Sequence, residues 1–299
     1  MESFAITTDM TADMPEGYFA DEKIDIAPMP FVLDGVDYCG ENLPTYHEFY
    51  DKLRAGAVPS TSQTSAFETA KIFEKHLKEG KDVLHISFSS GMSGSFDNVS
   101  NAAKELMRKY RNRRVLVLDS LSGCGGEGLM VYYAVKMRAA GKSITEIYDW
   151  LFARRMNFNH FFIVEDLGTL YRSGRLSKLE AAVGTILGIK PLLELNHSGK
   201  IMPLLKVMGK KKALACIAEQ VEKYCKPEEN DFILVEHGDD IEGAKVLAAK
   251  ITELLPDTPI RFCNVNYLVG SHAGPGALAV FFCGGERPRF INMPAKLTK

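Results

Sequence analysis

The chain has 299 residues, 46% apolar and 25% charged, with a formal net charge of -2 and a near-neutral balance of 36 basic against 38 acidic side chains. Such a length and composition predict an ordinary soluble protein of about two domains, able to bury a core without covalent staples. The charge argues against nucleic acid as a partner, and the lack of an apolar run near 20 residues or of a basic-then-apolar leader predicts neither stable membrane insertion nor secretion.

Along the chain, strands and helices alternate. Residues 4–8 predict an opening strand, 25–33 an extended stretch closed by Asp34-Gly35, and 46–54 a short helix. Ser65 followed by Glu68 is a capping-box signature for a helix over 65–78. A strand over 82–88, a helix over 95–110, a buried strand over 114–118, a helix over 128–140 and another opening at Ser143 follow. Past Asn157 the pattern restarts: strand 161–164, helix 177–187, a hairpin of 191–195 and 202–207, helix 211–224, strand 232–235, helix 242–254, and strands at 260–265 and 278–282. This predicts an α/β protein of two domains, 1–157 and 158–299, each a largely parallel sheet flanked by helices.

The six cysteines, at 39, 124, 216, 225, 263 and 283, have no C-x-x-C or finger spacing, which predicts free thiols in a reducing cytoplasm and no structural metal. Three segments carry donors without acids: Pro59 to Gln63, Ser89 to Ser95, and Gly270 to Gly276. Read as loops at strand ends, they suit an anion such as a carboxylate or phosphate. Helix capping is the plainer account of any single hydroxyl among them. Gly91-Met92-Ser93-Gly94-Ser95 nearly spells the nucleophile elbow, so a hydrolase using Ser93 with His272 as base is the alternative, although no acid flanks His272. Gly123 to Gly128 matches G-x-G-x-x-G, but four residues separate it from its strand, so it is read as a flexible turn rather than a dinucleotide fingerprint. Lys210-Lys211-Lys212 reads as a solvated face or a patch for an acidic partner. Residues 181–195 are strongly apolar and predict core or the wall of a tunnel for a hydrocarbon tail.

Taken in order, Thr8 to Asp13, Thr61-Ser62-Gln63, Ser89 to Gly94, Asp119-Ser120, Leu170 to Arg175 and Val269 to Gly276 resemble the DegV family of bacterial fatty-acid-binding proteins over nearly the whole chain. The resemblance implies no catalysis and no cofactor, but one bound long-chain fatty acid. The site would draw on Thr61, Ser62, Ser93, Gly94, Ser120, Arg172, His272 and Gly274. The carboxylate would meet Thr61, Ser93 and His272 at the domain junction, with Arg172 in support, and the acyl chain would run into the second domain. It also implies a partner, the fatty acid kinase, to which the acid is presented for conversion to acyl phosphate; a lipid-sensing regulatory subunit is the other role in view. Met10, Thr64 and Met208 depart from the family, which usually has Ser, Pro and a nearby Arg at these points. Burying roughly 14 methylenes is worth on the order of 11 kcal/mol, against roughly 1.5–3 kcal/mol for each hydrogen bond to the carboxylate.

Overall fold

The computed structural model describes residues 4–40, 42–177 and 189–287. Its strands are β1 (Phe4–Asp9), β2 (Asp25–Ala27), β3 (Phe31–Leu33), β4 (Val36–Tyr38), β5 (Ser60–Thr61), β6 (Asp82–Ser87), β7 (Val115–Asp119), β8 (Phe158–Ile163), β9 (Ile189–Leu195), β10 (Ile201–Met208), β11 (Ile233–His237), β12 (Ile260–Asn264) and β13 (Leu278–Cys283). The first sheet, in the order β2-β1-β6-β7, is parallel throughout. The second, β10-β9-β8-β13-β11-β12, draws every strand from residue 158 onward.

That second sheet corrects one expectation. It is parallel only at β11–β12, and its other pairings are antiparallel. For one pair the cause is plain: β9 and β10 are joined by the Asn196–Lys200 turn, too short for the crossover a parallel pair needs. A small antiparallel sheet, β4-β3-β5, was not anticipated, nor was the break at Pro28 and Pro30 that divides the extended stretch into β2 and β3. The helix expected over 177–187 lies, but for Ser177, outside the described residues.

The layers follow from where apolar side chains fall. Helices Ala66–Lys78 and Ser95–Lys109 cover one face of the first sheet through Phe73, Leu77, Val99 and Leu106. Helices Lys210–Tyr224 and Ile241–Leu254 cover the outer face of the second through Leu214, Ile217, Leu247 and Ile251. Between the sheets lies the helix Cys124–Ala139. It shares one core with Ile6, Leu84 and Leu118 of the first sheet and Phe158, Leu234 and Phe281 of the second. Enclosed on both sides, it carries no solvent-facing polar stripe along its buried first turns.

The start of that helix corrects a second expectation. The glycine-rich stretch is not a turn: the helix begins at Cys124, with Gly125, Gly126 and Gly128 buried in its first turns. A Cβ at Gly126 would collide with His160 and Ser122, and one at Gly128 with the Asp13 carbonyl. Glycine's usual helix penalty is outweighed here by close packing that no larger residue permits.

Candidate functional site

Two of the three donor segments are not loops. Thr61 lies on β5, paired with Phe31 of β3. His272 lies in the last turn of a short helix, Tyr267–Ala273, whose N-cap Asn266 accepts from Val269 N at 2.8 Å. Gly274 ends this helix at φ +77, where glycine alone is unstrained, and its N–H reaches Gly270 O at 2.8 Å. The small sheet and the helix share a cluster in which Phe31 stacks on Tyr267 and Phe49 meets both rings. That packing brings Thr61 Oγ1 to 2.9 Å from His272 Nε2.

His272 is mostly buried, and burial together with the nearby Arg175 charge pushes its pKa down to about 4. The imidazole is therefore neutral near pH 7 and can offer one N–H while accepting at its other nitrogen. The neighbouring cation is thus Arg175. Arg172 lines the same groove but is exposed, and its Nη2 pairs with Asp166 Oδ2 at 3.4 Å. The donor segments carry no acids, but the groove beside them does. Glu165 and Asp166 border it, Glu165 being engaged by Lys190 and by Lys210 at 2.9 Å.

The serine-rich segment meets Thr61-Ser62-Gln63 through its helix start. Thr64 N donates to Ser95 Oγ at 3.0 Å, and Ser95 Oγ lies 2.9 Å from Ser93 Oγ. Gly94 leaves room for the Gln63 amide, which accepts from Asn98 Nδ2 at 3.1 Å. Ser93 and Gly94 thus sit beside the Thr61 strand, while Ser62 is exposed on it with its N–H bonded to Pro30 O at 2.9 Å. Ser120 does not join them. It is fully buried, its hydroxyl donating to Ser122 O and accepting from Ser122 N, which makes it a turn residue. Ser89 and Ser90 are likewise committed, to Gly199 O at 2.8 Å and Asp119 Oδ2 at 2.6 Å. For these hydroxyls the plain structural account holds. The hydrolase pairing is not formed: Ser93 pairs with Ser95, and His272 with Thr61.

Asp9, part of the opening motif but given no role at the site from sequence, organises it. At the buried end of β1 it accepts from Ser87 Oγ, Phe88 N and Thr64 Oγ1, at 2.8, 2.8 and 3.2 Å. Burial alone would raise its pKa, but His85 at 3.3 Å and these hydrogen bonds outweigh it and hold the carboxyl below its usual range. One carboxylate therefore fixes both donor segments, and Thr64 supplies a hydroxyl where the family usually has proline. Only its place at the end of β1 could have flagged it.

Behind Ala273 lies an apolar cavity. Phe162, Leu195, Val269 and Ala277 line it from the second sheet's side, and Phe88, Met92, Gly123 and Cys124 from the first. This cavity lies at the seam between the sheets. Ala273 borders both the apolar cavity and the polar groove, so the two adjoin at the end of the helix Tyr267–Ala273. Among the described residues, two groups have donors close enough for a metal ion: Asp13, Cys124 and Glu236, all buried, and His47, Asp51 and Asp239 at the surface. The second is an ion-pair network, since Arg54 Nη1 already reaches Asp239 Oδ2 at 2.6 Å.

This fold is matched among known proteins. Residues 3–284 fit the family described as "Uncharacterised protein, DegV family". The chain belongs to the DegV family. A DegV domain-containing protein of Clostridium perfringens is 37% identical over 290 residues, covering 96% of this chain and 99% of that one. Among solved structures, a DegV lipid-binding protein from Thermotoga maritima is 28% identical, with a TM-score of 0.81 over 96% of this chain and 100% of that one. A fatty-acid-binding DegV family protein from Streptococcus agalactiae is 27% identical, with a TM-score of 0.83 over the same shares, 96% and 100%. The two-domain α/β DegV architecture is the one described above. No helix of the described residues is long and apolar enough to cross a membrane.

Proposed function

We propose that this protein binds one long-chain fatty acid and presents its carboxylate to a separate fatty acid kinase. The observation that carries the reading is the Thr61–His272 pair, with His272 on a polar groove that shares Ala273 with the apolar cavity. The carboxylate takes hydrogen bonds from Thr61, from Ser93 and from the neutral imidazole, and the acyl chain fills the cavity between the sheets. Arg172 stays with Asp166 and leaves the head group unclamped, so that an oxygen remains able to attack a phosphate donor. That donor belongs to the partner, since the sequence has no Walker-type loop. Family relatives named for lipid or fatty-acid binding support the first half of this reading. All six cysteines are free, which supports a reducing cytoplasm as its place.

Organic extraction of the purified protein, followed by mass spectrometry, tests binding. The expected result is one long-chain acid per chain; lipid-free protein that also refuses oleate and palmitate would overturn it. Adding a bacterial fatty acid kinase and ATP to loaded protein tests presentation, with acyl phosphate as the expected product. Loaded protein that yields none with any such kinase would leave the chain a lipid carrier of another kind.

A further inference from the structure

The buried group of Asp13, Cys124 and Glu236 has no part in the reading above. Each residue offers one donor atom, and these atoms all lie within 4.8 Å of one another. Their backbones are held before any ligand arrives. Asp13 N donates to Cys124 O at 3.2 Å, and Cys124 N to Thr11 O at 2.9 Å. Glu236 is mid-strand in β11, paired on one side with Cys263 of β12 and on the other with Ala279 of β13. The two hydrogen bonds from Asn266 to Asp13, at 2.8 and 3.2 Å, both end on Oδ2. Glu236 is fully buried, and its carboxyl lies against the Cys124 and Cys263 thiols and the Gly125 N–H with no hydrogen bond of normal geometry to either oxygen. A buried carboxyl left so is costly unless something else occupies the space beside it.

We propose that Asp13, Cys124 and Glu236 bind one zinc-class divalent cation at the seam between the two sheets. Two carboxylates with a thiolate favour a borderline metal over magnesium or calcium, which take oxygen ligands alone. The Cys263 thiol adjoins the Glu236 carboxyl and is the nearest further donor, in keeping with four-coordinate structural sites. The ligands come from the loop after β1, the start of the central helix and β11, so the ion ties both sheets to the helix between them. Cys124 and Glu236 also line the apolar cavity, so the ion braces its wall. The spacing of these residues, 13, 124 and 236, matches no sequence motif, which is why the cysteine pattern gave no sign of it.

Because the trio is buried, the ion should enter during folding, so the test uses protein expressed in medium supplemented with Zn²⁺ or with Co²⁺. Elemental analysis of the zinc-grown protein should find about one equivalent. The cobalt-grown protein should show sulfur-to-cobalt charge transfer in the near ultraviolet. Cys124→Ser should weaken that band, Cys124→Ser combined with Cys263→Ser should abolish it, and Glu236→Gln should lower metal content by at least about tenfold at limiting supply. Cys39→Ser, at an exposed thiol remote in sequence from the trio, should change neither. Wild-type protein with no bound metal and no charge-transfer band would overturn the proposal and leave the carboxyls sharing a proton instead. A band undiminished in Cys124→Ser, or lost in Cys39→Ser, would overturn it equally, as adventitious binding elsewhere.

Discussion

At the level of single residues, head-group and chain contributions differ enough to predict separate losses. One hydrogen bond to a carboxylate is worth roughly 1.5–3 kcal/mol, while the chain contributes on the order of 11. Alanine at Thr61, Ser93 or His272 should therefore leave lipid bound, about tenfold more weakly for each 1.4 kcal/mol lost. Acyl phosphate formation should fall much further, because phosphoryl transfer depends on where the oxygen sits. Measuring bound lipid and acyl phosphate on the same variants checks both; complete loss of lipid from any one would reverse the ranking. His272 also sets a pH dependence. Its proton binds near pH 6.5 in the unfolded chain and near 4 in the folded one. Its neutral form is therefore accommodated above pH 6.5, and stability is lost as pH falls toward 4, by up to about 3 kcal/mol. Urea unfolding at pH 7 and pH 4.5 should show this fall, and His272→Asn should make it shallower. Glu194 acts in the opposite direction. Burial raises its pKa to about 8, with Arg287 opposing, so folding takes up a proton between pH 4.5 and 8 and stability falls as pH rises through that window. Glu194→Gln should therefore gain on the wild type as pH increases, and a gap that does not widen between pH 5 and 8 would count against a neutral buried Glu194.

At the level of elements, the central helix shows best what local sequence can and cannot tell. Gly126→Ala should destabilise by about 1–3 kcal/mol or more, since the new methyl meets His160 and Ser122 inside a filled core. Gly285→Ala meets only ordinary contacts, the nearest at 3.6 Å to Tyr224, and should be nearly neutral in the same denaturant melts. An equal effect of the two would mean that the helix start tolerates a Cβ. The same glycines hid the helix from sequence reading, because helix propensity predicts a turn and only the two enclosing sheets reveal the need for space. Helices with a solvent face were legible: Ser65 accepts from Glu68 N, and Ser143 with Glu146 forms the full capping box. The β9–β10 hairpin was legible from its turn residues, and the strands expected at 4–8, 82–88, 114–118, 232–235, 260–265 and 278–282 are present within a residue or two, while the one expected at 161–164 begins three residues earlier, at Phe158. What escaped was sheet direction in the second half, since a run such as Leu278–Cys283 is buried on both faces and reads alike in either orientation. In the site, Thr61 and His272 were found as a pair of motifs, but Asp9, which holds the donor segments, and Arg175, which keeps His272 neutral, depend on contacts distant in sequence.

At the level of the whole molecule, the cavity's position makes lipid loading a question of stability as well as of binding. Its walls come from both sheets, so a chain lying there contacts Met92 and Phe88 on one side and Phe162, Val269 and Ala277 on the other. Such a ligand binds the assembled molecule and not the unfolded chain. It should stabilise by RT ln(1 + [L]/Kd), about 2.7 kcal/mol at a hundredfold excess over Kd. Delipidated protein should therefore melt several degrees lower and recover on addition of oleate. Ala277 gives a way to separate chain from head group, because it is buried, lines the cavity and does not line the groove that His272 borders. Ala277→Phe fills space the acyl chain would need, at a cost of about 1–3 kcal/mol in the empty protein. That baseline cost drops out when each variant is compared with itself, with and without oleate. The wild type should gain stability on loading and Ala277→Phe should gain little, whereas His272→Ala should still gain most of it. If Ala277→Phe gains as much as the wild type, the acyl chain does not run through the seam. If His272→Ala alone loses the gain, the carboxylate rather than the chain provides the larger part of the binding energy.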